Sequence, residues 1–524
     1  MSRTGRYASH ASRTYHRKSS VGWIPWVVFM VVSAVMVVVL WCGWQIYQGR
    51  SPIEAISHPA GNSILKVGLR TAPESLDIRN DDSDAVQQAL LDNVYETLVK
   101  RGDDNSLQPG LAQSWNISED ALTYTFNLRR GVRFSNGDVM NSQAVLKSLQ
   151  NGITKNYPGY STLTNIESVS NPSAYTLVIK LKAPDALLLR RLAGRLGIVY
   201  DTNAVVDYSN GALGTGPFTV SSYNKGNSLV LVRNNRYWGT PAECASITLQ
   251  YYASDADLAQ AMEQNNVQMA VPLEGSENKR IAAVADTQMV EGQSTRVRFV
   301  AFNTTISSIF SDEQARKAAR YAMNAKTVLD ADGNGGVPVG GPIDPLSPGY
   351  EDLNGMYPYN QQKSASLFHY FMSRYLGTMT FLVPQGEGDV GRELASKIIA
   401  ASGAKVDVQE VDSATLRQRI KDAKYDMAIV SLNHTLDEGT FAEAGSPFVL
   451  QDVKSQQAWA NAVHSKSPAE YEANVRAYAH EVSRNAAAHW LYARKSIMAV
   501  KSNISGYTKN MTDQLLPLRN ITVK

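Results

Sequence analysis

Along much of the chain, apolar residues recur either at every second position or at helical spacing. From Thr123 to Leu128, Tyr124, Phe126 and Leu128 alternate with Thr123, Thr125 and Asn127, the period of a half-buried strand. Arg129-Arg130-Gly131 interrupts that face, and Val132 and Phe134 resume it. Pro109-Gly110 and Asn136-Gly137 mark turns, the latter with a glycine that tolerates positive φ. Asn141 or Ser142 can then cap a helix with Ala144, Val145 and Leu149 on one face. Strands are predicted at Ile64–Leu69, Thr176–Lys182, Leu229–Val232 and Val297–Asn303. A helix is predicted through Val86, Ala89, Leu90, Val94 and Leu98. Ser311 with Gln314 forms a possible capping box for a second helix that aligns Ala315, Ala318, Ala319 and Ala322. Further on, Met379–Val383 and Lys405–Val411 flank a helix in a βαβ pattern, followed by strands at Tyr425–Val430 and Ser496–Lys501. These last elements predict an α/β lobe.

The N-terminal pattern is different. No charged residue occurs from Ser19 to Gly49, Val27–Leu40 is almost wholly aliphatic, and Trp23, Trp26, Trp41 and Trp44 flank it. A membrane span needs about 20 apolar residues, with aromatics favoured at the interfaces. Residues 1–20 carry Arg3, Arg6, Arg13, Arg17 and Lys18 and no acid, which places that end in the cytoplasm. Residues 1–20 therefore read as a basic tail, 21–48 as a single transmembrane anchor, and 49–63, with Pro52, Pro59 and Gly61, as a linker. A cleaved signal peptide is the competing reading. Its apolar core normally runs roughly 7–15 residues, and the small pair Ala55 and Ser57 lies well beyond this one. A lipoprotein signal would need a small residue before Cys42, where Trp41 stands.

Charge and chemistry narrow the function. Five of the 51 basic residues lie in the tail, leaving 46 against 48 acidic residues in the remainder. Nucleic acid is excluded as a partner by this near-neutral body, since phosphate binding needs a clustered basic surface. Cys42 and Cys244 form no disulfide framework. The eight histidines show no metal-ligand spacing, and no G-x-S-x-G, H-E-x-x-H or P-loop is present. Asp330–Gly335 imitates the start of a calcium loop, but Gly341 occupies the position that needs glutamate. No catalytic residue, metal ligand or cofactor is expected.

The order of residues carries more than their periodicity. Leu107–Gly137 reads L-x-P-x-L-A-x-S-W and then Y-x-F-x-L-R-x-x-V-x-F-x-x-G. It resembles the signature of the family 5 extracytoplasmic solute-binding proteins of ABC importers. Tyr95-Glu96-Thr97-Leu98, Gly214-Thr-Gly-Pro-Phe218, Asn235-Arg-Tyr-Trp-Gly239, Ala318-Ala-Arg-Tyr-Ala-Met-Asn324 and Tyr425-Asp-Met-Ala428 resemble further motifs of that family. The likeness covers residues 64–524. It implies an α/β, two-lobed periplasmic-binding-protein-like fold with an extra small domain, here preceded by the single transmembrane helix. Domain I would comprise residues 64–105, 213–300 and 488–524, domain II 106–212 and domain III 301–487.

The implied function is a membrane-anchored, extracytoplasmic substrate-binding receptor of an ABC importer. Its partners would be the permease subunits and a small-molecule ligand, a peptide, enclosed between the lobes. The same fold serving a nickel chelate, haem or an oligosaccharide, or acting as a solute-sensing module, stays open. Peptide-binding members of the family hold the ligand's α-ammonium with an aspartate in a segment of the form D-P-x-x-F. Leu436–Phe441 matches it with Asp437 and Phe441, although Glu438 replaces the proline. The resemblance therefore implies ligand contacts at Asp437 and Asn433 and at Thr71, Ala72 and Pro73, after the first strand.

Overall fold

A computed structural model describes residues 63–273, 277–332, 335–372, 377–433, 435–513 and 515–524, together with Met30, Val32, Ser33 and Met36. The chain separates into two units, Met1–His58 and Pro59–Lys524. In the first, the four described residues are helical, and Met30, Val32 and Met36 are exposed. The rest of the expected tail, anchor and linker lies outside the described residues. Among the described residues, no helix is long and apolar enough to cross a membrane.

In the second unit, the described residues place eleven strands in one sheet. From one edge to the other they run Lys405–Val411, Thr378–Pro384, Met427–Leu432, Thr287–Phe302, Ala488–Lys501, Met269–Ala270, Ile64–Leu69, Ser246–Tyr251, Ser228–Arg233 and Phe218–Asn224, with Gly336–Pro338 paired to Ala488–Lys501. Two strands are much longer than the rest and run through both lobes. Thr287–Phe302 and Ala488–Lys501 pair antiparallel, in register from Thr287 to Gln293, with the register shifting between Gln293 and Val297 and once more between Arg298 and Phe299. On one side of the first shift, Lys501–Ala499 belongs with the first lobe, where Met269–Ala270 pairs with it. On the other, Val297–Phe302 pairs with Met427–Leu432 of the second. The interrupted register lies where the lobes join, so bending there disturbs few ladder hydrogen bonds.

Each region has its own core. Leu65, Val67 and Leu69 bury the inner face of the first strand with Leu229, Leu231, Ile247 and Leu249. Phe299, Phe441 and Trp490 form a mutual aromatic cluster in the second lobe, with ring centroids 5.2–5.5 Å apart. A small domain adds a separate four-stranded sheet in the order Ala112–Ile117, Thr123–Leu128, Thr176–Leu181, Ile166–Ser173. Its alternation is as the sequence predicts: Tyr124, Phe126 and Leu128 are buried with Leu177, Ile179 and Leu181. Each such side chain contributes roughly 1.5–3 kcal/mol by leaving water. Val132 and Phe134 join that core without forming a strand. Asn141 caps Ser142–Thr154, accepting from Gln143 N and Ala144 N.

Several elements differ from the sequence reading. The helix expected to run to Leu98 covers only Asp84–Leu90. Leu91 is extended and Asp92 takes a positive φ of 62°. The cause lies in Asn93, whose buried amide donates to Leu516 O at 2.9 Å and whose Oδ1 accepts from Leu518 N at 3.0 Å. These bonds to a distant segment replace helix continuation, while Val94 and Leu98 remain buried. The alanine helix Glu313–Ala322 is capped by Asp312, not Ser311, which ends a preceding 3₁₀ turn. The strand after Tyr425 is displaced to Met427–Leu432, because Asp426 turns its carboxylate to Thr380 N (2.8 Å) and Ser308 Oγ (2.6 Å). Asp330 lies in the helix Ala325–Asp332 and pairs with Lys326 at 2.8 Å. Cys244 is fully buried and donates to Ile521 O at 3.2 Å.

Candidate functional site

The candidate site lies where the lobes and the small domain meet. From the small domain comes the short helix Leu188–Leu192. Asp185 sets its start, accepting from Leu187 N at 3.0 Å and from Arg191 Nη1 at 2.5 Å. Ala186 N donates to Val463 O at 2.8 Å, and Leu187 packs in the core of the second lobe. This helix therefore forms a direct bridge across the junction.

A polar network beside it joins the lobes again. Arg101, at the end of strand Val99–Arg101, is buried, and its Nε donates to Asn105 Oδ1 at 2.8 Å. Its Nη2 donates to Thr435 Oγ1 at 2.7 Å and pairs with Asp513 at 3.2 Å. Asp513 accepts from Thr435 N at 2.8 Å, and Asn105 Nδ2 donates to Ser347 Oγ at 3.2 Å. Ser347 in turn donates to Asp344 at 2.6 Å. Burial drives the titration here. It pushes the Asp344 carboxyl up to about 6, raises Glu438 well above the carboxylate range and lowers Arg101. The neighbouring Asp344 raises Glu438 further, and Arg190 opposes the shift.

Between these contacts lies a cavity of about 260 Å³. Its walls include Arg190, Arg191 and Arg195 from the small domain, Asp513 and Leu515 from the C-terminal segment, and Leu436, Asp437 and Glu443 from the second lobe. A cavity whose walls bring charged side chains of both signs together from the small domain and both lobes is suited to enclosing a small polar ligand.

Comparison with known proteins is consistent with this arrangement. The model of the bacterial extracellular solute-binding proteins, family 5 middle, matches residues 106–442. The chain belongs to this family. Its similarity to the glutathione-binding protein GsiB of Salmonella choleraesuis (strain SC-B67) is 26% identity over 295 residues, 55% of this chain and 57% of that protein. Only a little over half the length of that relative is thus matched. It is 23% identical to the di/tripeptide-binding protein 2 of Pseudomonas aeruginosa (strain UCBPP-PA14) over 402 residues, 70% of this chain and 75% of that one. The periplasmic binding protein DppA of Helicobacter pylori, solved with the peptide STSA, shares the fold. The TM-score is 0.76 at 19% identity, covering 88% of this chain and 98% of that one. The two-lobed, periplasmic-binding-protein-like α/β architecture is shared.

The family 5 motifs converge in space. Glu96 is half-buried, and its carboxylate accepts from Tyr237 OH (2.9 Å), Trp238 Nε1 (2.7 Å) and Thr215 Oγ1 (2.8 Å). One side chain thus ties the Y-E-x-L, N-x-x-Y-W and G-T-G-P-F segments together. The glycines allow the approach: a Cβ on Gly214 would lie 2.1 Å from Val94 O, and one on Gly216 2.6 Å from Asn93 O. These motifs build the first lobe and lie away from the cavity lining.

Of the expected ligand contacts, Asp437 lines the cavity, half-buried, in the 3₁₀ segment Thr435–Phe441. Its Oδ2 accepts from Asn433 N at 3.1 Å, and Asn433 Oδ1 accepts from Arg296 Nε at 3.1 Å. Asn433 is thus adjacent to Asp437 without lining the cavity itself. Thr71, Ala72 and Pro73 lie elsewhere in the first lobe. Thr71 is exposed, Ala72 packs on the first-lobe core, and Pro73 O accepts from Tyr223 OH at 2.5 Å. The cavity's arginines were missed. Their signal was present in Leu188-Leu-Arg-Arg-Leu-Ala-Gly-Arg195, three cations interrupting an apolar run.

Proposed function

We propose that this family 5 protein is a membrane-anchored receptor of an ABC importer that closes around a short peptide between its two lobes. The observation that carries the reading is the cavity walled by both lobes, with Asp437 on the second-lobe wall. A carboxylate desolvated by closure forms a charge-assisted hydrogen bond to a ligand ammonium. Relatives that bind glutathione and di- or tripeptides support the ligand class. The two long strands shared by the lobes support closure by hinge bending. Solution scattering tests this motion: the radius of gyration is expected to fall when the cognate peptide saturates the protein. An unchanged envelope at saturation counts against closure.

The uncharged run Ser19–Gly49 behind a basic tail supports the anchor, with the N-terminus cytoplasmic and the binding domain outside. N-terminal sequencing of the mature protein from membranes is expected to begin at or near residue 1. A start near His58, or a lipid on Cys42, would sink the anchor.

A further inference from the structure

We propose that Arg190 is the anion anchor of the cavity, receiving a free carboxylate of the ligand whose ammonium Asp437 takes. This deepens the peptide reading and rests on it for the ligand class. Arg190 is 7% exposed, lines the cavity, and its Nη1 is buried without a hydrogen-bond partner. A buried cation is costly unless an opposite charge and hydrogen bonds compensate it.

The neighbouring arginines are occupied differently. Arg191 pairs with Asp185 at 2.5 Å. Arg195 donates to the carbonyls of Arg79, at 3.1 Å, and Pro158. Arg101 keeps one buried nitrogen unbonded, but its others hold Asn105, Thr435 and Asp513. Glu438 is an acid that Arg190 acts on electrostatically, and its Oε1 is likewise buried without a partner. Because burial strongly favours the protonated form of Glu438, it is a poor counter-ion for the guanidinium.

Arg190 also borders a second cavity, of about 330 Å³, beside Ser347 and Glu472. Arg190 therefore borders both spaces. Guanidinium matches a carboxylate with two parallel N–H bonds, a geometry that lysine cannot reproduce. An unpaired guanidinium on the small domain and a carboxylate on the second lobe together suit a zwitterion, hence a short peptide with both termini free.

The test uses the full chain in detergent, as wild type, Arg190→Gln and Arg190→Lys. Calorimetry compares a pool of free-acid di- and tripeptides with the same pool as C-terminal amides, and mass spectrometry identifies what co-purifies. Wild type is expected to prefer the free acids by about thirty-fold or more. Arg190→Gln should lose that preference, and Arg190→Lys should keep part of it. Equal wild-type affinity for acids and amides overturns the proposal, and this comparison needs no variant to fold. Retained preference in Arg190→Gln overturns it too. A co-purified non-peptide anion that Arg190→Gln releases would end the peptide reading and uphold the anion anchor. A co-purified ligand without an anionic group, or binding of neither pool with no anion co-purified, would end the anchor.

Discussion

Asp437→Asn is expected to weaken binding of the ligand that co-purifies with wild type by roughly two to three decades. The substitution keeps shape and an acceptor for Asn433 N, which now bonds Oδ2 at 3.1 Å, so the Thr435–Phe441 turn should survive. What it removes is the negative charge on the cavity wall. A ligand ammonium taken out of water by lobe closure would then lack its counter-charge. Losing a charged hydrogen bond of this kind costs about 3–4 kcal/mol, which converts to the stated affinity loss. Isothermal titration with the identified ligand measures it. Unchanged affinity would show that Asp437 does not hold an ammonium, and a non-peptide ligand would become the better reading.

The second large effect is on stability. Glu96→Ala is expected to cost on the order of 3 kcal/mol or more. It would remove the acceptor that Tyr237 OH, Trp238 Nε1 and Thr215 Oγ1 now share, and leave a void among three chain segments. Urea unfolding followed by tryptophan fluorescence, together with the midpoint for Glu96→Gln, checks this. The glutamine variant should fall between alanine and wild type, since its one amide oxygen can still accept. A wild-type midpoint for Glu96→Ala would show that the motifs are held together by packing alone.

Acidity gives an independent readout of the same residue. Burial raises the Glu96 carboxyl above its ordinary range, against the three donors and Lys100. Folding therefore takes up a proton there. The corresponding stabilisation is fully present below the unfolded carboxyl pKa and is lost as pH rises through the folded value. Glu96→Gln should flatten that part of the stability profile.

The structure also explains why one family motif serves architecture and another lies at the candidate site. Y-E-x-L, G-T-G-P-F and N-x-x-Y-W meet around Glu96 because each supplies what a half-buried, enclosed carboxylate needs: a donor, or a backbone stripped of Cβ atoms. The segment containing Asp437 stands instead at the end of strand Met427–Leu432, where an α/β sheet opens toward its ligand crevice. Replacement of proline by Glu438 leaves that segment folded and adds a buried acid between Asp344 and Arg190 in electrostatic terms.

Local order was legible in the residues themselves. The strands Ile64–Leu69, Thr123–Leu128 and Lys405–Val411 occur where the sequence predicts them, and in Thr123–Leu128 the alternation itself carries the prediction, because period-two burial is a property of consecutive side chains. Asn141 caps its helix for the same local reason, and the ordered motifs sufficed for the family. Elements whose ends depend on distant partners were not legible. The early stop after Leu90 is imposed by Leu516 and Leu518, and the shift of the strand past Tyr425 by Thr380 and Ser308. The cavity belongs to this second class. Arg190, Asp437 and Asp513 are far apart in the chain, and only the packing of the small domain against both lobes brings them to one space. Sequence alone marks Arg190 as a cation in an apolar run, whereas its burial without a partner at Nη1 follows from which acids the folded chain places within reach and which it commits elsewhere.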